Sequence, residues 1–239
     1  MNEPSVCCMM LANGRPEMVR RALRCYHAQT YRAKELIMWD TGDSQSCEDY
    51  GKGIWHCCAP GAGDSVGALR NAAAGWIEYR FRPKYIAHWD SDDYSHPERL
   101  AEQVALAENG GFAAVAYNRM LFWDTTRNGG EAWMYFSPPH GLGTSMLYRV
   151  DAWARTPFRD LKRPDGSLIG GEDTEWLRAT RSVRLESSMV LSADGHLAGF
   201  VPRMIASIHG ANTSSTINGA DEWKRAPKWD RYCKETMKL

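Results

Sequence analysis

Net charge is the first thing the sequence lacks: 29 Lys+Arg are balanced by 29 Asp+Glu over 239 residues. That balance speaks against an electrostatic coat for nucleic acid and against an acidic tail, while leaving room for a local basic patch. No apolar run approaches the ~18 residues of a membrane-crossing helix. Met1-Asn2-Glu3-Pro4 does not start a basic stretch followed by an apolar one, so no secretory signal is expected and the expected compartment is the cytoplasm. C-x-x-C does not occur, which removes the common zinc and dithiol frameworks. G-x-x-x-x-G-K-[ST] is missing too, so no P-loop is expected. Gly61-Ala62-Gly63-Asp64-Ser65-Val66 approaches a dinucleotide fingerprint. Its third glycine is displaced to Gly67, and it follows the third expected strand rather than the first. EF-hand spacing also fails: Ser95 stands where the loop needs Gly, and Ala101 where it needs Glu.

What is present is an ordinary globular composition, 44% hydrophobic and 24% charged. The chain is long enough to bury a core without disulfides or a structural metal. Its seven cysteines include the adjacent pairs Cys7-Cys8 and Cys57-Cys58. Neighbours on a strand point to opposite faces, so neither pair is placed to chelate one ion. All seven are expected to be reduced, mostly buried thiols.

Strand and helix patterns alternate over the first ~110 residues, which points to a mostly parallel sheet covered on both faces. Expected strands are Ser5 to Leu11, Glu35 to Trp39, Gly53 to Cys58 and Tyr85 to Trp89. Helices are expected from Pro16 to Gln29 and from Val66 to Tyr79, with apolar residues at helical spacing. Ser95-His96-Pro97-Glu98 has capping-box spacing and is expected to open a third helix. Beyond it, Ala113 to Trp123, Trp133 to Phe136 and Met204 to His209 read as strands, and Thr174 to Thr180 as a short helix. With no repeat or linker, one domain over 1–239 is expected.

In open α/β sheets ligands bind beyond the carboxyl ends of the strands. Ala12-Asn13-Gly14-Arg15, Asp40 and Asp90-Ser91-Asp92-Asp93 all fall there. Carboxylates crowded behind an apolar strand repel one another unless a cation or hydrogen-bond donors offset them. Mg²⁺ or Mn²⁺ suits such a site. The same acids would equally suit the start of the next helix, where negative charge is favoured. Glu172-Asp173 after Gly170-Gly171 forms a second acidic cluster, and His209 stands at the end of a late strand.

Taken together these segments resemble the family 2 glycosyltransferases of the GT-A fold. Arg15-Pro16-Glu17 is similar to the family's first strand–helix unit, and Asp40-Thr41-Gly42 stands in the place of its Asp-Asp-Gly. Gly67-Ala68-Leu69-Arg70-Asn71-Ala72 resembles its G-x-x-R-N-x segment. Asp90-Ser91-Asp92-Asp93 resembles its DxD element, Gly171-Glu172-Asp173-Thr174 its ED motif, and His209-Gly210-Ala211-Asn212-Thr213-Ser214 its H-x-x-N-T-S.

The resemblance implies an α/β GT-A fold, with a mostly parallel central sheet and a smaller mixed C-terminal region. Residues 1–110 would bind the nucleotide sugar and 111–239 the acceptor. It implies a metal-dependent, inverting transfer from a nucleotide-diphospho-sugar, UDP-sugar favoured, with one Mn²⁺ or Mg²⁺. Asp40 would meet the nucleobase, Arg15 the nucleotide and Arg70 the nucleotide or diphosphate. Asp90 would meet the ribose or a metal-bound water. Asp92 would ligate the cation, with His209 completing the metal or diphosphate site. Asp173 would be the general base and Glu172 would position the acceptor.

The acceptor is expected to be a glycan or glycan precursor, with Trp123, Trp133, Tyr135 and Phe136 near Pro138-Pro139 available for stacking or for the core. A hydroxymethylated DNA base is the alternative acceptor. A nucleotidyltransferase and an inactive nucleotide-sugar-binding module are the alternative functions. The basic tail (Lys224, Arg225, Lys228, Arg231, Lys234, Lys238) would allow at most peripheral membrane contact.

Overall fold

Strand β1 (Val6–Ala12) shows how the first sheet is built. Its residues alternate between two apolar interiors: Cys7 and Met9 enter one, while Val6, Cys8 and Met10 enter the other. That period of two with both faces buried needs helices on both sides. Helix α2 (Val66–Phe81) covers the Cys7 side with Ala73, Ala74 and Ile77. Helices α1 (Pro16–Ala28) and α3 (Arg99–Gly110) cover the Cys8 side with Ala22, Tyr26, Leu100 and Val104. The computed structural model describes residues 3–12, 16–41, 46–59, 65–127, 129–136, 141–161, 171–180, 202–210, 217 and 222–238. Arg15, Gly42, Pro138, Pro139 and the stretch Ala211 to Ser214 lie outside the described residues, as does the expected turn at Asn13-Gly14.

Beside β1 run β2 (Lys34–Asp40), β4 (Ile54–Cys58) and β5 (Tyr85–His88), all parallel. Three short strands complete the sheet: β3 (Ser46–Gly51), β7 (Ala114–Val115) and β10 (Leu147–Arg149). The strand order is β3-β4-β2-β1-β5-β10-β7. This is the expected α/β architecture, and it sets Ala12, Asp40, Cys58 and His88 along one edge of the parallel core.

A second, mixed sheet holds β6 (Tyr94–Ser95), β8 (Arg119–Asp124), β9 (Glu131–Phe136), β11 (Met204–Ile208) and β12 (Trp223–Arg225). Its order is β12-β9-β8-β11-β6. Helix α6 (Asp230–Thr236) packs Cys233 against one face, where Leu121, Trp123 and Ile205 meet. Among the described residues the remaining α-helices are α4 (Val150–Arg155) and α5 (Glu172–Ala179). Among the described residues no helix is long and apolar enough to cross a membrane.

Several expectations are corrected. Cys47 and Cys57 are joined by a disulfide, so not every cysteine is a reduced thiol. The bond follows from an unanticipated hairpin in which β3 pairs antiparallel with β4 and sets Cys47 directly opposite Cys57. Cys7, Cys8, Cys25 and Cys233 are free and buried as expected, and Cys58 is free and half-buried.

The capping box does not form. Ser95 belongs to β6, its hydroxyl accepts from Arg99 Nη1 (2.9 Å), and α3 begins only at Arg99. The segment Ala113 to Trp123 is not one strand but β7 and β8, in different sheets. Between them the Tyr117 N–H leaves the ladder and donates to Ser145 Oγ (2.8 Å). Helix α5 starts two residues earlier than expected, which puts Glu172 and Asp173 in its first turn.

Candidate functional site

The two sheets meet at the acidic loop. β5 of the first sheet ends at His88, and β6 of the second begins at Tyr94, so Asp90-Ser91-Asp92-Asp93 is the crossing between them. β6 pairs antiparallel with β11, and His209 follows β11 directly. That pairing returns the histidine to the loop: His209 Nε2 lies 2.8 Å from Asp92 Oδ2. Asp92 and His209, far apart in sequence, are thus brought together.

The other acids of the loop have different partners. Asp93 is buried and accepts from Thr144 Oγ1 (2.6 Å) and from the Ser207 N–H (3.0 Å). Burial, reinforced by the charges of Asp92 and Asp90, holds its carboxyl well above the ordinary range, against the pull of those two donors. Asp90 is likewise raised by burial, with Arg70 pulling it down and Asp92 pushing it up. Arg21 of α1 donates to the Asp92 carbonyl and to Met237 O (2.8 Å), tying the loop to α1 and to the chain end. A carboxylate and an imidazole, converging beside two further acids, are a donor set that fits a divalent cation.

The second acidic cluster arrives through α2. Ser65 caps that helix, accepting from the Ala68 N–H (3.1 Å), a contact worth about 1 kcal/mol. Gly63-Asp64-Ser65-Val66-Gly67 has the G-x-S-x-G spacing of a nucleophile elbow, yet Ser65 is buried and committed to this cap, so it is no nucleophile. A Cβ on Gly67 would lie 2.1 Å from the Arg159 carbonyl, so only glycine lets the helix approach that segment. Asn71 then clamps the same segment. Its Oδ1 accepts from the Phe158 N–H (3.0 Å) and Trp153 Nε1 (2.9 Å), and its Nδ2 donates to Phe158 O (2.8 Å).

Arg70, between them, is buried and faces Glu172, Nε to Oε1 2.9 Å. Burial alone would lower the guanidinium, but Glu172, Asp90 and Asp173 together raise it. Glu172 is raised by burial, with Arg70 opposing. Arg70 Nη1 also donates to the ring of His88, whose Nδ1 lies 2.8 Å from the Gly143 carbonyl. Burial, then the Arg70 charge, hold His88 well below its ordinary value. Arg70 Nη1 lies against both ring nitrogens, and the Gly143 carbonyl meets Nδ1 as well.

Gly143 heads a 3₁₀ turn, Gly143–Ser145, that links the two acidic clusters. Thr144 binds Asp93, while Gly143 touches Asp173. Asp173 is half-buried and accepts from the Thr174 N–H (2.6 Å). Asp40 ends β2 near His56, Oδ2 to Nε2 3.6 Å. Arg15 is outside the described residues.

Sequence reasoning missed His88, Thr144, Ser207 and Arg21. His88 had a signal, a lone ring in an apolar strand just before the acids. Gly141-Leu142-Gly143-Thr144-Ser145 had another, two glycines and two hydroxyls ahead of an apolar run. Ser207 acts through its backbone and left none.

The expected aromatic segment divides. Trp123 is buried, while Tyr135 packs at a tilt on Trp223 (4.6 Å between centroids) and Phe136 is exposed. In the basic tail, Arg225 pairs with Asp230 (2.6 Å) and Arg231 with Glu235 (2.8 Å).

The family model described as Glycosyl transferase family 2 matches residues 7–169. No curated protein sequence matches the chain. Among solved structures, S. aureus TarS 1–349 in complex with UDP superposes with a TM-score of 0.56 at 12% identity, covering 85% of this chain and 60% of that one. The same fragment in complex with UDP-GlcNAc gives 0.55 at 12% identity over 90% and 62%. The mannosyltransferase PcManGT from Pyrobaculum calidifontis, in complex with GDP-Man and Mn²⁺, gives 0.53 at 12% identity over 91% and 59%. The chain thus spans about 60% of the length of these structures, and the likeness is one of fold.

Proposed function

Because the chain belongs to glycosyl transferase family 2, we propose that it transfers a sugar from a nucleoside diphosphate to an acceptor hydroxyl, inverting the anomeric carbon. Residues 1–239 act as one domain, with 1–110 holding the donor and 111–239 the acceptor. The observation that carries this reading is the Gly143–Ser145 turn. It holds Asp93 on one side and touches Asp173 on the other, so a cation-type cluster and a candidate base share one wall.

Asp173 takes the proton from the acceptor hydroxyl. The freed oxygen forms the new bond to the anomeric carbon from the face opposite the diphosphate, and the diphosphate leaves with the electron pair of the broken bond. Glu172, fixed by Arg70, orients the acceptor, and Arg70 faces the diphosphate side with its charge. Asp40 meets the nucleobase, Arg15 the nucleotide and Asp90 the ribose. Asp92 and His209 would hold one Mn²⁺ or Mg²⁺, which when bound supplies Lewis-acid neutralisation of the leaving diphosphate. The UDP and UDP-GlcNAc of TarS, and the GDP-Man and Mn²⁺ of PcManGT, support a nucleotide sugar with a divalent cation. A UDP-sugar is favoured. The acceptor is a glycan or glycan precursor, laid against the ring cluster of Tyr135 and Trp223.

A thermal-shift panel of UDP, GDP, CMP and their sugars, with and without Mn²⁺, tests the donor half. A ligand at ~100 times its Kd adds about 2.7 kcal/mol of stability. The expected result is a shift with one nucleotide that needs Mn²⁺ and vanishes in Asp92→Ala. No shift with any nucleotide overturns the reading.

A further inference from the structure

A cluster at the edge of the donor site joins Asp40 to two residues, His56 and Cys58, that have no role in that reaction. Asp40 closes β2, and its partner in register on the adjacent parallel strand is Cys58, which closes β4. His56 lies two residues before Cys58 and shares its face of the strand. The three side chains converge. His56 Nε2 is 3.6 Å from Asp40 Oδ2 and 3.7 Å from Cys58 Sγ. One ligand atom from each lies within 4.8 Å of the others, and all three residues are half-buried. Tetrahedral bonds of ~2.0–2.3 Å place ligand atoms about 3.3–3.7 Å apart, so the two histidine separations need little adjustment.

The surroundings also suit an ion. Tyr50 on β3 lies 3.3 Å from His56 Nδ1. A hydroxyl accepting from Nδ1–H turns the Nε2 lone pair toward Asp40 and Cys58, as an outer partner does for a ligating imidazole. The Cys47–Cys57 bond fastens β3, which carries Tyr50, to the strand that carries His56. Thiolate with imidazole and carboxylate selects a borderline-soft ion, Zn²⁺, over Mg²⁺ or Mn²⁺.

We propose that Asp40, His56 and Cys58 form a Zn²⁺ site distinct from the Asp92–His209 pair, with a fourth position open to solvent. Cys58 gives its thiol proton to solvent as the ion binds. Under the donor assignment above, Asp40 also meets the nucleobase, so Zn²⁺ and the nucleotide contend for one carboxylate and Zn²⁺ inhibits donor binding. This second statement rests on that assignment, whereas the metal site itself does not.

Co²⁺ replaces Zn²⁺ as the spectroscopic probe, added to the full chain without thiol reductant. The expected result is a thiolate-to-cobalt charge-transfer band that saturates at one ion per chain and is removed by Zn²⁺. Cys58→Ser abolishes the band. Asp92→Ala and the paired Cys47→Ser/Cys57→Ser variant keep it. His56→Gln, a second probe should Cys58→Ser fold poorly, weakens Co²⁺ binding at least tenfold. No band in the unaltered chain, or a band that survives Cys58→Ser, overturns the site.

In a separate titration, saturating Zn²⁺ raises the apparent Kd for the bound nucleotide at least tenfold, and does not do so in Cys58→Ser. An unchanged Kd overturns the competition. Failure of every nucleotide to bind in the absence of Zn²⁺ overturns the donor assignment instead, and leaves the cobalt band in place.

Discussion

Asp173 rests against the bare α-carbon of Gly143: a methyl group built there would lie 1.3 Å from Asp173 Oδ2. The carboxylate therefore occupies space that any other residue at 143 would fill. Gly143→Ala is expected to displace it and lower kcat about 10–100-fold, leaving nucleotide affinity within a factor of two or so, since a misplacement near 1 Å costs on that order. Asp173→Asn, which keeps the shape and removes the base, is expected to lower kcat by about 10²–10⁴ while Mn²⁺-dependent nucleotide binding persists. Steady-state kinetics with parallel calorimetry on both variants checks the pair.

Arg70 and Glu172 make a buried ion pair. Glu172→Gln leaves the guanidinium without its closest counter-charge, at an expected cost of about 3–5 kcal/mol. Removing both charges with Arg70→Met/Glu172→Gln should cost clearly less than the sum of Arg70→Met and Glu172→Gln made singly. Urea unfolding of the four proteins closes the cycle, and strictly additive values would deny the coupling.

Asp92→Ala and His209→Ala should each raise the Mn²⁺ concentration for half-maximal nucleotide binding at least tenfold, about 1.4 kcal/mol. The double variant should be little worse than either alone, because one missing ligand already opens the site. A Mn²⁺ titration at fixed nucleotide decides this.

His88 gives the chain a dependence on acid. Its folded value is held well below the ordinary 6.5 by burial and the Arg70 charge, so the unfolded chain takes up a proton that the folded one refuses. The contribution of His88 is then full above about pH 6.5 and falls as the pH drops, by about 1.4 kcal/mol per unit while the folded ring stays neutral, whereas the raised carboxyls of Asp93, Asp90 and Glu172 act with the opposite sign. His27 and His96 shift the same way under burial, but they are less enclosed and add less. His88→Gln should flatten the slope of unfolding free energy between pH 7 and 5. An unchanged slope would place the titration elsewhere.

The parallel core was legible in the sequence because its signals are local. Val6 to Met10 reads as a strand buried on both faces, and the structure buries it on both. Gly67, Arg70 and Asn71 could be marked as a unit, but their sequence spacing does not say that they grip Phe158, Arg159 and Glu172. Two of the missed strands come from pairing over long separations. β6 and β10 are too short to carry a period of their own and exist because Met204 and Ala87 offer them partners. The Cys47–Cys57 bond depends on the register of a hairpin whose first strand, Ser-Cys-Glu-Asp-Tyr-Gly, is polar and turn-like. The same holds in the candidate site. Asp92 and His209 could each be named, yet only the β6–β11 pairing brings them to 2.8 Å.

Residues 89–93 carry the chain from the first sheet to the second at the acidic loop, and His209, at the end of β11 in the second sheet, meets that loop. The Asp92–His209 separation therefore gauges how the two sheets are seated on each other. A change of volume among Leu121, Ile205 and Cys233, none of which is assigned to donor, acceptor or cation, would tilt the second sheet and reset that separation. Divalent-ion affinity could then drift through interior substitutions with every ligand unaltered, and a screen confined to the ligands would overlook the residues that tune it.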